Sequence, residues 1–258
     1  MRFEAVFDAL APASPYEAPQ KHSHELAQEH PLSVYLNETP VYRMVCTPTL
    51  LPELVLGRLL TEGVIDSVSE VQALRFCNQG LRARVFLNHP LDVQPGAEPI
   101  PSCCTGNRTL AQLASSQKLP QKLTPIAYDP TWISRLAACL TTDMPLYRQT
   151  RATHGAFLMQ EGEVLVAAED LGRHNALDKA VGWAMNRDID LRRCLLFTTG
   201  RVPVDMVQKA IRAGVPVLCS KARPTLEGVL LAKEFGLTLL GEADEKTYTV
   251  YHNGGESR

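Results

Sequence analysis

The sequence predicts an α/β protein: a C-terminal region built on a mostly parallel sheet covered on both faces, preceded by a smaller N-terminal α+β region. Two observations carry this. From residue 163 onward, apolar strand-like runs alternate with segments of helical periodicity, which is the pattern of βαβ units. The strand runs (VLVAA, CLLF, VPVLC, LTLL) are almost continuously apolar rather than alternating, as in strands buried on both faces.

The N-terminal elements come first in chain order. Residues 32–48, LSVYLNETPVYRMVCTP, read as a hairpin turning at Asn37 to Thr39. Residues 50–65, LLPELVLGRLLTEGVI, read as an amphipathic helix closed by Gly63. VQALRF and RARVFLN are further strands. The stretch 118–132 holds three prolines and resembles a connector, so the regions divide into 1–120 and 121–258. A short helix at 133–140 then leads into the second region, and Trp132 and Trp183 are expected in the core or at an interface.

In the second region EVLVAA (163–168) is a strand and EDLGRHN (169–175) a polar loop. Asn175 is placed to cap a helix whose apolar face runs through Ala176, Leu177, Ala180, Val181 and Ala184. RCLLFTT (193–199) is the next strand. Pro203 suits the first turn of the helix after it, with Val204, Val207 and Ile211 inward and Gly214 as its stop. VPVLCS (215–220) is a third strand, followed by a helix over 225–236 with Thr225 and Gly236 as its caps. LTLLG (237–241) is a fourth strand and YTVYH (248–252) a candidate fifth.

Composition narrows the function. Among 258 residues the net charge is −2, so no global basic field draws in nucleic acid or an anionic membrane. No apolar run approaches the ~20 residues a membrane-spanning helix needs. The first 19 residues carry acidic side chains within a short apolar stretch, which makes a poor signal peptide and suits a loose leader or docking arm. Seven cysteines without a CxxC spacing argue against a disulfide framework or a zinc knuckle and for a reducing cytoplasm. Cys194 and Cys219 sit in apolar strands and are expected in the core.

In sheets of this kind ligands bind beyond the carboxyl ends of the strands. Those ends contribute Arg173, His174, Arg201, Lys221 and Arg223 to one edge, where three helices also begin. Helix N-termini and basic side chains together suit a phosphate or pyrophosphate, although loop cations are also commonly just solvated. The fourth loop, Gly241 to Thr247, is net acidic and breaks the continuity of that cradle.

The adjacent pair Cys103–Cys104 in PSCCTGNRTL leaves four readings. Adjacent thiols rarely reach one zinc ion, and a vicinal disulfide is strained and easily reduced. A buried inert pair competes with a reactive one. The turn-like surroundings, the helical pattern from Thr109 and the nearby Arg108 favour an exposed, activated thiol.

EDLGRHNALDKAVG, TTGRVPVDMVQKAIRAGVPVLCSKARPT and LAKEFGLTLLG resemble the C-terminal region of the formate dehydrogenase accessory sulfurtransferases, the FdhD family. LPELVLGRLLTEGVI resembles that family's N-terminal helix. The resemblance implies a cytidine-deaminase-like three-layer C-terminal domain in a cytoplasmic homodimer. It implies sulfur taken from a cysteine desulfurase as a persulfide. That sulfur passes to the molybdenum (or tungsten) bis-molybdopterin guanine dinucleotide cofactor for formate dehydrogenase maturation. The family's CGxCG motif falls on Cys103 to Asn107; the first cysteine matches, the second falls on Gly106, and Cys104 is an added thiol. Cys103 is thus the expected sulfur acceptor and Cys104 a candidate relay. The family's TGGxH falls on Thr150 to His154, with Arg151 and Ala152 replacing the glycines. The remaining cofactor-binding candidates are Arg173, His174, Asn175, Arg201, Lys221, Arg223 and the stretch Glu242, Ala243, Asp244, Glu245, Lys246, Thr247, in which the family's aromatic and basic residues are absent. Two other classes stay open: a chaperone that delivers the cofactor without sulfur transfer, and a deaminase-related nucleotide enzyme. The last is weakened because no HxE with PCxxC pair exists to bind zinc. No structural metal is expected.

Overall fold

The computed structural model describes residues 25–90 and 122–255. Both the expected boundary near residue 120 and the Cys103–Cys104 pair lie outside the described residues.

The N-terminal part is a four-stranded sheet in the order β2-β1-β4-β3: β1 (His30–Leu36), β2 (Thr39–Cys46), β3 (Val71–Cys77) and β4 (Arg82–Leu87). The β1–β2 hairpin turns through Asn37 and Glu38, both with positive φ (43° and 69°), the two-residue geometry whose twist matches paired strands. Helix α1 (Leu51–Thr61) lies between this sheet and the C-terminal part. An amphipathic helix was the expectation; every residue from Glu53 to Thr61 is buried, because α1 is packed on more than one side.

The C-terminal part is a six-stranded sheet in the order β10-β9-β8-β7-β5-β6. Its strands are β5 (His154–Gln160), β6 (Glu163–Asp170), β7 (Cys194–Thr198), β8 (Val217–Ser220), β9 (Thr238–Gly241) and β10 (Thr249–His252). The expectation of a mostly parallel sheet needs correction: β7, β8 and β9 are parallel, but β5 and β10 run against their neighbours, so the sheet is mixed. The reason is β5, a strand the periodicity did not announce. It turns back on β6 through Glu161 and Gly162 and inserts between β6 and β7.

Helices cover both faces. Helices α2 (Pro130–Thr142) and α3 (Pro145–Thr150) precede β5, and α4 (Arg173–Met185), α5 (Val204–Arg212) and α6 (Leu226–Phe235) connect the later strands. Helix α2 is longer than the expected 133–140, because the Asp129 side chain caps it by accepting the Thr131 N–H. Side chains alternate across each strand. Leu195, Phe197, Val217, Cys219 and Leu240 pack with Ile133 and Leu136 of α2. Leu196, Leu218 and Leu239 pack with α4, α5 and α6 in a core that continues into the N-terminal sheet through Leu32, Val34, Leu54 and Leu59. Thr225 and Gly236 (φ 71°) cap α6, and Gly214 (φ 76°) stops α5, as their residue types required. No helix among the described residues is long and apolar enough to cross a membrane.

The two parts meet where α1 crosses α4. A Cβ on Gly57 would collide with the Asp178 carbonyl, and one on Gly182 with the Glu53 carbonyl, so only glycine permits this approach. Two buried ionic networks flank the crossing. In one, Lys179 Nζ lies 2.7 Å from Asp170 Oδ2 and donates to Thr47 Oγ1 and to the Glu169 carbonyl, while Asp170 also accepts from the Thr47 N–H and Asn175. In the other, Asp178 accepts from Lys209 (2.9 Å), Arg58 (3.3 Å) and Thr61 (2.7 Å). Lys179, Asp170 and Asp178 are fully buried, so each charge depends on its partners to offset lost hydration.

This predicts that Lys179→Met, which strands the Asp170 carboxylate, destabilises the fold by roughly 3–5 kcal/mol in urea unfolding. Gly182→Ala is expected to destabilise too, despite alanine's helix propensity advantage of about 1 kcal/mol. An unchanged midpoint in either variant contradicts this account of the junction.

Candidate functional site at the strand-end edge

Because β5 and β6 run in opposite directions, His154 at the start of β5 pairs with Asp170 at the end of β6. The ends of β7, β8 and β9 lie on the same edge of the sheet. The loops that follow them are joined to one another. Ser220 Oγ donates to the Gly200 carbonyl at 2.6 Å, Val202 N–H to the Arg223 carbonyl, and Ala243 N–H to the Ser220 carbonyl. Loops held this way present side chains from a fixed frame.

The segment 169–175 was expected as a loop capped by Asn175. Instead β6 extends through Asp170, Gly172 is the N-cap, and α4 begins at Arg173. Asn175 does not cap: its Nδ2 donates to the Val45 carbonyl and to Asp170 Oδ1, so it belongs to the buried junction. His174 is also buried, with Nε2 3.1 Å from Asp205 Oδ2 at the start of α5. The aliphatic part of Arg173 lies against Gly200, where any Cβ would strike it, and its buried Nε has no hydrogen-bond partner. Beside Gly200, the buried Arg173 Nε thus has unused hydrogen-bonding capacity.

A cleft of about 680 Å³ opens at this edge, lined by Tyr147, Arg148, Arg151, His154, Thr199 and Lys221 over an apolar floor that includes Leu140 and Met144. His154 Nδ1 sits 3.3 Å from Thr199 Oγ1, which also accepts the Gly155 N–H. Burial, then the nearby Arg173 and His174, hold the His154 imidazole below its ordinary pKa, so at neutral pH it is uncharged. Its polar chemistry in the cleft is that of a neutral hydrogen-bonding ring.

The cleft brings His154 and Lys221 together from the predicted set, but not the rest. Arg201 is exposed, and Arg201 and Arg223 do not line the cleft. Arg223 Nε is 2.6 Å from Glu242 Oε1, and Glu242 also accepts the Tyr251 hydroxyl at 2.7 Å. These two bonds, Tyr251's first, keep the Glu242 carboxyl below its ordinary pKa. Asp244 accepts the Lys246 and Thr247 N–H groups, closing its own turn, and those bonds lower its pKa. Ala243 is buried, and Glu245 is exposed.

Sequence reasoning did not single out Tyr147, Arg148 or the role of Glu169. Glu169 Oε1 and Oε2 accept the Leu146 and Tyr147 N–H groups at 2.9 and 2.7 Å, and Oε2 also accepts the Thr153 hydroxyl. One carboxylate of the EDLGRHN stretch therefore anchors α3, the wall that carries both arginines. The apolar run GAFLM after His154 was the signal that could have found β5.

Among the described residues no group of histidine, cysteine, aspartate or glutamate is arranged to hold a metal ion. The described cysteines are free: Cys46, Cys194 and Cys219 are buried, as expected for the last two, Cys139 is half-buried and Cys77 exposed. Burial pushes the thiols of Cys46 and Cys194 up to about 12 and that of Cys139 up to about 11, and raises Cys219 as well. Such thiols are poor nucleophiles at neutral pH.

Comparison with known proteins places this geometry in a family. The chain matches the model of the FdhD/NarQ family over residues 27–257. It is 30% identical over 226 residues to the sulfur carrier protein FdhD of Staphylococcus haemolyticus (strain JCSC1435), covering 86% of each chain. It is 30% identical over 230 residues to the protein of the same name from Bacillus pumilus (strain SAFR-032), covering 88% of each. A crystal structure of a protein assigned as a formate dehydrogenase accessory protein, from Desulfotalea psychrophila, superposes with a TM-score of 0.72 at 27% identity over 90% of each chain. The match spans both sheets, the α1–α4 junction and the cleft: the chain belongs to the FdhD/NarQ family.

Proposed function

We propose that this chain is a sulfur carrier for formate dehydrogenase maturation. It takes sulfane sulfur from a cysteine desulfurase onto Cys103 and passes it to the bis-molybdopterin guanine dinucleotide cofactor of molybdenum or tungsten, which is its substrate. The observation that carries this reading is the family match over residues 27–257, with relatives named sulfur carriers. In the loading step the Cys103 thiolate attacks the terminal sulfur of the donor persulfide. The donor's sulfur–sulfur bond breaks, its cysteine leaves as a thiolate, and Cys103 keeps the persulfide. The raised thiol pKa values of Cys46, Cys139, Cys194 and Cys219 support this choice, since they make these four poor competitors. The cleft beside His154 and Lys221 suits the anionic half of a guanine dinucleotide, and the Arg173 charge acts on His154. We place the protein in the cytoplasm as a homodimer, with formate dehydrogenase downstream.

One departure favours a second reading. The second cysteine of the family motif falls on Gly106, so a chaperone that delivers the cofactor without carrying sulfur is the alternative.

Peptide mapping by mass spectrometry after incubation with a desulfurase and cysteine separates the two. The expected result is a 32-Da gain on the Cys103 peptide, lost in Cys103→Ser and reduced at most partly in Cys104→Ser, with none on Cys77 (the gain being the mass of one sulfur atom, about 32 Da). Loading that survives in both serine variants, or that never occurs, replaces the carrier reading by the chaperone.

A second expectation concerns the acidic stretch. Thr247→Arg is expected to tighten GDP binding by roughly 1.5–3 kcal/mol, as a charge-assisted contact does. Asp244→Arg should gain less, because it also opens the turn that the Asp244 carboxylate closes. Calorimetry showing no gain for Thr247→Arg places this stretch away from the nucleotide.

A further inference from the structure

Of the cleft's cations, only Lys221 comes from the strand-end set the sequence singled out. Arg223 is engaged by Glu242, and the stretch after β9 adds Asp244 and Glu245. The charge lining the cleft is instead Arg148 and Arg151 of the α3 wall with Lys221 from the end of β8, and no carboxylate lines it among the described residues. Arg151 closes α3 in the left-handed conformation (φ 56°, ψ 18°), with its N–H on the Tyr147 carbonyl. Glycine is the residue favoured there, because a Cβ is crowded in this region. The position nevertheless holds an arginine, whose guanidinium stacks 5.2 Å from the centre of the Tyr147 ring. Arg148 lies one helical turn earlier, and Glu169 fixes the start of the same turn. A short wall is thus anchored at one end by a carboxylate and strained at the other, and it presents two planar, permanently charged forks to a cavity with an apolar floor.

We propose that Arg148 and Arg151, with Lys221, form a clamp for a phosphate or pyrophosphate group, and that the two α3 arginines set the affinity of the cleft for its anionic ligand. The clamp rests on the reading of this cleft as the seat of the guanine dinucleotide and does not depend on sulfur transfer. Arginine forks match phosphate oxygens in pairs, so the ligand class is a nucleoside diphosphate or the diphosphate alone. The neutral His154 beside them adds a hydrogen bond without a charge to desolvate.

Calorimetry with GDP, guanosine and inorganic pyrophosphate tests this on the full chain and on Arg148→Gln, Arg151→Gly and, as a control on the far α6 surface, Lys233→Gln. The expected result is that GDP and pyrophosphate bind and guanosine is at least about tenfold weaker. Each arginine substitution should lower GDP and pyrophosphate affinity by roughly tenfold or more, and the control should leave both unchanged. GDP binding more tightly than pyrophosphate assigns the site to a nucleotide, and equal binding assigns it to the phosphate group alone; either supports the clamp. Arg151→Gly relaxes the left-handed backbone, so its thermal midpoint should hold or rise, and a loss of binding there cannot be put down to unfolding. The clamp is overturned if GDP affinity is unchanged in both arginine variants, if guanosine binds as tightly as GDP, or if neither phosphate ligand binds. Persulfide loading of Cys103 in the same samples is judged separately: its absence in the unmodified chain counts against the sulfur carrier and leaves the clamp to the calorimetry.

Discussion

The structure depends on the crossing of α1 and α4, where Gly57 and Gly182 bring two helix backbones into direct contact. At that separation no side chain fills the interface, and polar groups close to the crossing are sealed from water. The chain meets this constraint with charge rather than with apolar volume. Lys179 meets Asp170 and Thr47 on one side, and Asp178 gathers Lys209, Arg58 and Thr61 on the other. Every partner matters, because removing one leaves a bare charge in a dry interior. The networks also tie residues more than a hundred positions apart, which joins the N-terminal sheet to the C-terminal one through the core as well as through the polypeptide.

The same junction positions the cleft. Glu169 and Asp170 are consecutive residues at the end of β6, so their side chains leave on opposite faces. Asp170 points into the junction and accepts from Lys179, Asn175 and Thr47. Glu169 points the other way and holds the first turn of α3, and with it Tyr147, Arg148 and Arg151. A disturbance of the junction is therefore transmitted to the cleft wall across a single peptide unit. Rigid support on one side suits the anionic ligand proposed for this cleft.

The stretch EDLGRHNALDKAVG shows how much of a distinctive motif can be scaffold. Glu169 anchors α3, Asp170, Asn175, Asp178 and Lys179 build the buried networks, and Gly182 permits the helix crossing. Arg173 keeps a buried Nε without a hydrogen-bond partner. The thiols divide as well: Cys46, Cys194 and Cys219 are buried in β2, β7 and β8 and their pKa values are raised, whereas Cys77 at the end of β3 is exposed.

Period and caps made most elements legible in the sequence alone. The continuous apolar runs identified β7, β8 and β9, Thr225 with Gly236 bounded α6, and Asn37–Glu38 marked the first hairpin. These signals are local, and local residues produce them. The family resemblance was legible for the same reason, since its motifs are contiguous runs. Tertiary structure decided what depends on residues distant in sequence. It inserted β5 between β6 and β7 and so made the sheet mixed; it buried α1 on every side; it turned Asn175 from a cap into a junction residue. It also paired Arg223 with Glu242 and moved the cationic wall of the cleft to α3. A charge in the sequence carries no sign of whether a carboxylate will reach it, because that depends on which loops the strand order brings to the same edge.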